Sequence, residues 1–313
     1  MDRIPLCCLP TPLHRLERLD LGVELWIKRD DLTGFALGGN KGRKLEFLAQ
    51  EWLNASPSAI VTCGASDSNF IRQLAVLGRM LGIAVHAAVM DLPYDECAGR
   101  PARVSNLHQG GNERLSRESG ATLHKFSDDD WEVLYDHMHR IAKDLGPNAA
   151  IVPIGGSSPL GVYAFVQAAK EVGGEFDTIV CASSSGSTQV GLTTAFRGTS
   201  TKVVGIAADP EPALVEDFAD LSRQYTGRFG GKPLAPEDFT LDLRFVGPGY
   251  GVPSDAGQHA QAVLLRSEGI YLDPIYSAKA FAGLLKLTEE ERLGNKVLFW
   301  HTGGLPSLFS DYD

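Results

Sequence analysis

The amino-acid sequence predicts an α/β protein with a largely parallel sheet flanked by helices. Short apolar runs rich in β-branched residues are repeatedly followed by Gly- and Ser-rich turns and then by apolar residues at helical spacing, which is the alternation of parallel α/β folds. The length of 313 residues corresponds to about two domains or one large unit. Hydrophobic residues make up 43% of the chain, so a large core is expected.

The first clear unit of this alternation begins at residue 59. The apolar run 59–63 predicts a strand and the polar run 64–69 predicts a turn. Apolar residues at helical spacing then predict a helix that ends at Gly82, where a glycine is the usual C-terminal cap. The next strand is predicted over residues 83–90.

The same order returns in the second half of the chain. A strand is predicted over 178–182, a turn over 183–188, a helix over 189–196 and a strand over 203–208. A last strand, 297–301, ends at a Gly-Gly turn. Parallel strands that end in such turns place their carboxyl ends at one edge of a sheet, where ligands of α/β proteins bind.

Three other segments have a distinct composition. Residues 91–112 and 224–251 carry Gly and Pro among polar residues, and we expect both to be irregular. The acidic run 128–130 precedes a helical pattern, and negative charge is favoured at a helix start, so we expect it to begin a helix and not to bind a metal.

Composition and charge exclude several functions. There are 29 Lys and Arg residues against 39 Asp and Glu residues, and the net charge of -10 argues against a nucleic-acid partner. The sequence has no apolar run of about 18 residues and no secretory signal pattern. We therefore expect a soluble protein with no membrane partner.

Cysteine usage indicates a reducing compartment. The five cysteines are scattered and form no C-x-x-C pair, which predicts neither a disulfide framework nor a bound metal. A cytoplasmic location fits best. They are Cys7, Cys8, Cys63, Cys97 and Cys181.

The turn at residues 183–188 is the best candidate for binding a phosphate. It joins a strand to a helix, so free backbone N–H groups and the positive helix end lie together. It matches neither the P-loop nor the dinucleotide pattern, so neither a nucleoside triphosphate nor a dinucleotide is specifically indicated. A tight turn without a ligand explains the local sequence equally well.

A second candidate is Lys41, which follows Gly38-Gly39-Asn40 at the predicted start of a helix. Positive surroundings would lower the pKa of such a lysine, and a lysine with a lowered pKa can form a Schiff base. A solvated surface charge is the alternative. Locally, the turn 66–69 is explained by helix capping, and Tyr250 and Tyr276 are explained by packing.

The ordered set of motifs is more specific than any one of them. It closely resembles the D-cysteine desulfhydrase and 1-aminocyclopropane-1-carboxylate (ACC) deaminase family of pyridoxal-phosphate enzymes, which have the fold type II of the tryptophan synthase β subunit. The resemblance runs from about residue 11 to residue 309. The matching blocks are residues 24–32, 38–48, 68–73, 155–161, 185–192, 273–276 and 301–304.

The resemblance implies a cofactor, pyridoxal 5'-phosphate, and a role for each matching residue. Lys41 would form the Schiff base and serve as the base, Asn69 would bond the pyridine 3-hydroxyl group, and Ser68 would lie near the substrate carboxylate. The residues implied to contact the cofactor are Lys41, Lys44, Asn69, Ser185, Gly186, Ser187, Thr188 and Thr302. The residues implied to be catalytic are Lys41, Ser68, Tyr250 and Tyr276, and those implied to bind substrate are Asp67, Ser68, Tyr250 and Tyr276.

Two positions depart from the family pattern. Ser277 follows Tyr276 where ACC deaminases carry a glutamate, which disfavours cyclopropane cleavage. Asp67 precedes Ser68 where desulfhydrases usually have a glutamine, and a carboxylate there would repel the substrate carboxylate. Asp67 therefore either points away from the substrate or contacts a cationic group of it.

The resemblance also implies the domain organisation and the activity. We expect residues 1–44 and 158–313 to form a large cofactor-binding domain, residues 45–157 to form a smaller inserted α/β domain, and the protein to be a homodimer. The expected reaction is α,β-elimination on a small β-substituted amino acid, with D-cysteine giving pyruvate, hydrogen sulfide and ammonia. The alternatives are an L-cysteate sulfo-lyase, an ACC deaminase, a β-replacement transferase and a non-enzymatic pyridoxal-binding protein.

Overall fold

The computed structural model describes residues 1–90, 94–95, 100–101, 111–126 and 130–310. In these residues two sheets of mainly parallel strands are flanked by helices, as the alternation predicts. The larger sheet has the strand order β1-β2-β12-β9-β10-β11, and only β1 runs antiparallel to its neighbour. The smaller sheet has the order β7-β4-β3-β8 and is entirely parallel.

The strands are short and mostly buried. Those of the larger sheet are β1 (Leu13–Arg15), β2 (Glu24–Arg29), β9 (Thr178–Ser183), β10 (Lys202–Ala207), β11 (Thr240–Asp242) and β12 (Lys296–His301). Those of the smaller sheet are β3 (Ala59–Ala65), β4 (Ala84–Met90), β7 (Thr122–Phe126) and β8 (Ala149–Ile151). The short strands β5 (Tyr94–Asp95) and β6 (Arg100–Pro101) pair with each other.

The α-helices of the described residues flank the two sheets and mostly alternate with the strands along the chain. They are α1 (Lys41–Ala55), α2 (Asn69–Leu81), α3 (Gly111–Glu118), α4 (Trp131–Leu145), α5 (Pro159–Ala168), α6 (Ser187–Phe196), α7 (Leu214–Phe229), α8 (Asp255–Glu268) and α9 (Ser277–Glu289). None of the described helices is long and apolar enough to cross a membrane.

Most predicted boundaries are confirmed within two residues. Helix α2 ends as expected, with Gly82 in the left-handed conformation. Strand β4 begins one residue late because the Ile83 N–H is still used to close α2, donating to the Gly78 carbonyl at 2.9 Å. Helix α6 begins two residues early, at Ser187.

The irregular segment predicted over 224–251 is wrong at its start, which is helical, and at residues 240–242, which form strand β11 of the larger sheet. Helix α7 continues through Gly227 to Phe229, and only the chain beyond it is irregular before β11. A glycine inside a helix costs about 1 kcal/mol relative to alanine, which tertiary packing of the apolar face outweighs. The other segment, 91–112, lies largely outside the described residues.

The acidic run 128–130 is also only partly described, because residues 128 and 129 lie outside the described residues. Asp130 caps α4, since its carboxylate accepts a hydrogen bond from the Glu132 N–H at 2.8 Å. This is the predicted role at that residue, and the capping bond satisfies one of the free donors of the first turn.

The two sheets agree with the expected separation into two parts, while the boundaries stay a prediction. All strands of the larger sheet lie outside residues 45–157, and all four strands of the smaller sheet lie inside them. The proposed boundary at residue 45 falls inside α1, however. Leu45 of α1 and Leu160 of α5 belong to the same buried apolar cluster as residues of β3, β4 and α2.

A buried ionic network, hereafter the Arg43 network, fixes α1 to the larger sheet. The Arg43 guanidinium donates to Asp30 Oδ1 and to Glu171 Oε1, both at 2.7 Å. Lys28 Nζ donates to the other Glu171 oxygen at 2.7 Å, and the Trp300 indole N–H donates to Asp30 Oδ2 at 2.9 Å. The two cations and two carboxylates balance each other, which is what burial of charge requires.

Candidate active site

A cavity of about 1120 Å³ lies where the carboxyl ends of both sheets meet. The ends of β3, β9 and β12 and the starts of α1, α2 and α6 line it. Nine of the predicted site residues line this cavity: Lys41, Ser68, Asn69, Ser185, Gly186, Thr188, Tyr250, Tyr276 and Thr302. Lys44, Asp67 and Ser187 are not among its lining residues.

Lys41 is the first residue of α1 and opens onto this cavity. The preceding turn requires glycine, because a Cβ on Gly38 (φ +77°) would lie 2.0 Å from the Asp31 carbonyl oxygen. The Asn40 N–H donates to the Thr302 carbonyl at 2.9 Å, which ties the turn to the end of β12. Desolvation lowers the pKa of Lys41 to about 8, although the charge of Asp273 acts in the opposite direction. The amine is therefore partly neutral near physiological pH.

The turn after β9 forms a cluster of hydroxyl groups beside the start of α6. Ser157 Oγ donates to Ser185 Oγ at 2.9 Å and lies 3.2 Å from Ser187 Oγ. Among the described residues, no side chain caps the first N–H groups of α6, where Gly186 has φ +93°. Free N–H groups at a helix start bind anions. This arrangement favours the phosphate site over a simple turn.

Lys44 is connected to this hydroxyl cluster through Gly155. Its side chain is buried, and Nζ donates to the Gly155 carbonyl at 2.9 Å. Gly155 (φ +64°) packs so closely on Ser185 that a Cβ would lie 2.4 Å from Ser185 Oγ. Lys44 thus holds the loop that supports the hydroxyl cluster, and its contact with the cofactor stays a prediction.

Ser68 and Asn69 lie at the start of α2 and have defined partners. Ser68 Oγ accepts from the Phe70 N–H at 3.2 Å, which is the capping role expected locally. Asn69 Oδ1 accepts from Arg72 Nη1 at 2.7 Å. Because this bond engages the amide oxygen, the Asn69 NH₂ group keeps its capacity to donate to a ligand oxygen.

Asp67 is directed away from the cavity. Its Oδ1 accepts from the Asn112 N–H at 2.6 Å and its Oδ2 accepts from Ser310 Oγ at 2.9 Å. Of the two alternatives given by the sequence, the geometry matches the one in which Asp67 points away from the substrate. Its predicted substrate-binding role stays a prediction.

Tyr250 and Tyr276 form a pair in the wall of the cavity. Their hydroxyl oxygens lie 2.6 Å apart, and the Trp131 ring packs edge-on against Tyr250 with centroids 5.6 Å apart. Burial raises the pKa of Tyr250 to about 12, so its hydroxyl remains protonated at neutral pH.

Asp273 is a site residue that sequence reasoning missed. The buried carboxylate accepts from the backbone N–H groups of Ile275, Tyr276 and Ser277 at 2.8 to 3.0 Å, and so fixes the turn that carries Tyr276. Ser157 and Arg72 were missed as well. All three lie inside matching blocks, but the type of a side chain alone does not reveal a supporting role.

The residues present fit pyridoxal phosphate. The cavity offers an amine with a lowered pKa, an anion site at a helix start and an amide donor, which are the groups that an aldehyde, a phosphate and a ring hydroxyl require. The Ser183 hydroxyl at the end of β9 is buried, lines the cavity and has no hydrogen-bond partner among the described residues. An unpaired buried hydroxyl there is explained by a bound polar group.

Comparison with known families shows whether a protein of this kind binds a cofactor. Residues 4–303 match the family described as "Pyridoxal-phosphate dependent enzyme". The chain belongs to this pyridoxal-phosphate-dependent family. Its cofactor is therefore pyridoxal phosphate, and its fold is the type II fold that the resemblance implied.

Known relatives and solved structures show which members of the family this chain is similar to. D-cysteine desulfhydrases of Yersinia enterocolitica and Serratia proteamaculans are each 34% identical, over 98% of this chain and 95% of the relative. The crystal structure of an ACC deaminase homologue has a TM-score of 0.86 at 29% identity and covers 98% of this chain and 93% of that chain. The crystal structure of a threonine deaminase from T.th. has a TM-score of 0.66 at 18% identity, with 94% and 92% covered, and shares the fold.

Proposed function

We propose that this pyridoxal-phosphate enzyme eliminates a β-substituent from a small amino acid, with D-cysteine as the first substrate to test. The observation that carries the proposal is the position of Lys41, whose partly neutral amine faces the same cavity as Ser68, Asn69 and the tyrosine pair. The identity to D-cysteine desulfhydrases over nearly the whole chain supports this choice of substrate.

Each residue would act on a defined part of the reaction. Bound pyridoxal phosphate supplies the electron sink that stabilises negative charge at the substrate Cα. Lys41 would hold the cofactor and would serve as the base for the α-proton, because it is the only lysine among the described lining residues. Ser68 and the start of α2 bind the substrate carboxylate, since a hydroxyl and N–H donors meet there. Thiol, ammonia and pyruvate leave, with one water consumed.

The charge of the cavity argues against L-cysteate. Among the described lining residues, Lys41 is the only lysine or arginine. The carboxylates of the lining are those of Asp130, Glu132, Asp209, Glu211, Asp217 and Asp220. A sulfonate on the substrate side chain would be repelled, whereas a thiol would not.

ACC deamination is disfavoured by the residue after Tyr276. Ser277 is buried, and its Oγ donates to Asp273 Oδ1 at 2.5 Å. A side chain held in this way supplies no carboxylate to the substrate. The transferase alternative is tested separately, because it alone would form a new amino acid when a second thiol is added.

The first experiment compares wild type with Lys41→Ala and with Lys143→Ala, which removes an exposed lysine of α4. The visible absorption of the purified proteins is recorded before and after D-cysteine is added, while pyruvate and sulfide are measured. We expect a cofactor band and both products with wild type and Lys143→Ala, and neither with Lys41→Ala. A coloured wild-type protein that forms neither product would refute the substrate assignment and leave the cofactor assignment standing.

We also propose the finer features that the resemblance implies. These are the individual site roles given above, the domain limits 1–44 with 158–313 and 45–157, a homodimer, and a cytoplasmic location. The absence of cysteine pairs in the sequence supports the reducing compartment. Light scattering of the purified protein tests the dimer.

A further inference from the structure

Asp67 is the centre of a largely buried junction between three segments of the chain. Its carboxylate joins the loop before α2 to the first turn of α3, at the Asn112 N–H, and to Ser310 near the C-terminus. The Asn112 side chain closes the junction, because its Nδ2 donates to the Asp67 carbonyl at 3.0 Å and to Ser307 Oγ at 3.0 Å. Asn112 is fully buried.

Gly111 shows how tightly this junction is built. Its φ of +63° lies in the left-handed region, and a Cβ would lie 1.8 Å from Ser310 Oγ and 2.7 Å from Asp67 Oδ1. A side chain at residue 111 would therefore force Asp67 and Ser310 apart. The close approach of the three segments depends on a glycine at this position.

Arg72 connects this junction to the cofactor side of α2. Asn112 Oδ1 accepts a hydrogen bond from the Arg72 guanidinium, which also donates to Asn69 Oδ1 at 2.7 Å and to the Gly38 carbonyl at 2.9 Å. These acceptors are all neutral. Gly38 belongs to the turn before Lys41, so Arg72 touches both predicted cofactor-binding segments.

The buried Arg72 guanidinium needs a compensating negative charge. Burial lowers the pKa of Arg72 to about 10, and the nearby Asp67 carboxylate is the charge that opposes this shift. Asn112 lies between the two charges, because its backbone N–H donates to the Asp67 carboxylate and its side-chain Oδ1 accepts from Arg72. Removing Asp67 would leave a buried cation without its balancing charge.

We propose that Asp67 is a positioning residue that holds Arg72, and through it Asn69 and the turn before Lys41, in the geometry required by the cofactor. Asp67 does not contact the substrate in this arrangement. The inference rests on the proposed function for the role of Asn69, and it assigns a role to the carboxylate that replaces the glutamine expected at residue 67.

The experiment compares holoenzymes of wild type, Asp67→Asn, Ser310→Ala and Gly111→Ala with Asp144→Asn, which removes an exposed carboxylate of α4. Three properties are measured: the visible absorption maximum, the rate of cofactor release on dilution, and kcat and KM for D-cysteine. For Asp67→Asn we expect release about tenfold faster, because a buried charge loses its partner. The absorption band should shift, and kcat should fall with KM within about twofold of wild type.

The other variants keep the proposal testable if Asp67→Asn does not fold. Ser310→Ala removes one hydrogen bond to Asp67 and should speed release in the same direction by about threefold. Gly111→Ala should have the larger effect, and Asp144→Asn should match wild type. A large rise in KM with unchanged release and spectrum would assign Asp67 to the substrate, and unchanged release in Ser310→Ala would overturn the proposal. Cofactor release needs no turnover, so it remains informative even if D-cysteine is not the substrate.

Discussion

At the scale of single residues, the proposed role of Lys41 makes cofactor binding depend on the protonation of its amine. A lysine must be neutral to attack an aldehyde, and desolvation lowers the pKa of Lys41 to about 8 from its ordinary value of 10.5. Below that pKa the amine is protonated and unreactive. Above it the amine is neutral.

We therefore predict that cofactor loading depends on pH with a midpoint near that value. Protein stripped of cofactor is mixed with pyridoxal phosphate, and the growth of the visible band is followed between about pH 6 and pH 10.5. The rate should rise with pH and reach half of its maximum near pH 8, where Lys41 loses its proton. A midpoint near the ordinary lysine value would contradict the desolvated environment. Lys41→Ala should show no band at any pH.

The residue scale is also where the sequence predicts least about the site. Lys41 and Ser68 were identified because their blocks resemble a known family, and they line the cavity. The direction of Asp67 depends on Asn112 and Ser310, which are 45 and 243 residues away along the chain. No local pattern contains that information.

At the scale of elements, the packing of α5 against α6 depends on a glycine at the contact. Gly191 of α6 faces α5, and a Cβ there would lie 2.4 Å from Phe165 Cβ and 2.7 Å from the Val162 carbonyl oxygen. The Val162 carbonyl belongs to the backbone and Phe165 Cβ is bonded to it, so neither atom can move without its helix. Helices α5 and α6 must therefore separate to accept a methyl group. Helix α6 begins at the hydroxyl cluster of the cavity, so its displacement also affects the anion site.

We predict opposite effects for two Gly→Ala substitutions in helices. Gly191→Ala should lower the free energy of unfolding by about 1 to 3 kcal/mol through overpacking. Gly227→Ala, in the exposed last turn of α7 with no atom within 4 Å of the added Cβ, should raise it by about 0.4 to 1 kcal/mol through helix propensity. Urea unfolding of both variants measures the difference. Equal stabilities would show that α5 and α6 adjust to the methyl group.

Elements were the most predictable level of this structure. The strand-turn-helix alternation predicted β3, α2, β4, β9, α6, β10 and β12, because hydrophobic periodicity and glycine caps are local. Helix α7 extends into the segment predicted to be irregular because its apolar face packs on the core. The division into two sheets followed from the resemblance, since strand order is decided by contacts between distant segments.

At the scale of the whole molecule, the Arg43 network connects the site to the rest of the large sheet. It joins β2 through Lys28, the turn at Asp30, helix α1 through Arg43, and Glu171, which lies 128 residues from Arg43. Helix α1 begins at Lys41, so the network fixes Lys41 relative to β12 as well as stabilising the fold. Its two cations and two carboxylates compensate each other away from solvent.

Removing one charge should break this balance. We predict that Asp30→Asn lowers the free energy of unfolding by about 3 to 5 kcal/mol, because Arg43 loses one of its two paired carboxylates. Glu118→Gln breaks an exposed pair with Arg114 and should cost at most about 1 kcal/mol. Urea unfolding at pH 7 compares the two variants. A cost of Asp30→Asn as small as that of Glu118→Gln would show that the network does not stabilise the fold.

The same network predicts how stability responds to acid. Burial raises the pKa of Glu171, but hydrogen bonds from Arg43 and Lys28 outweigh it and leave the pKa lower than in the unfolded chain. A carboxyl group with a lowered pKa in the folded state stabilises the fold above its unfolded pKa, and this contribution is lost as the pH falls through the folded pKa. Glu171→Gln should therefore be less stable than wild type at pH 7, and the difference should shrink as the pH falls below the ordinary glutamate pKa of 4.5. A difference that stays constant from pH 7 down to about pH 3 would mean that the charge of Glu171 contributes nothing and that only its shape matters.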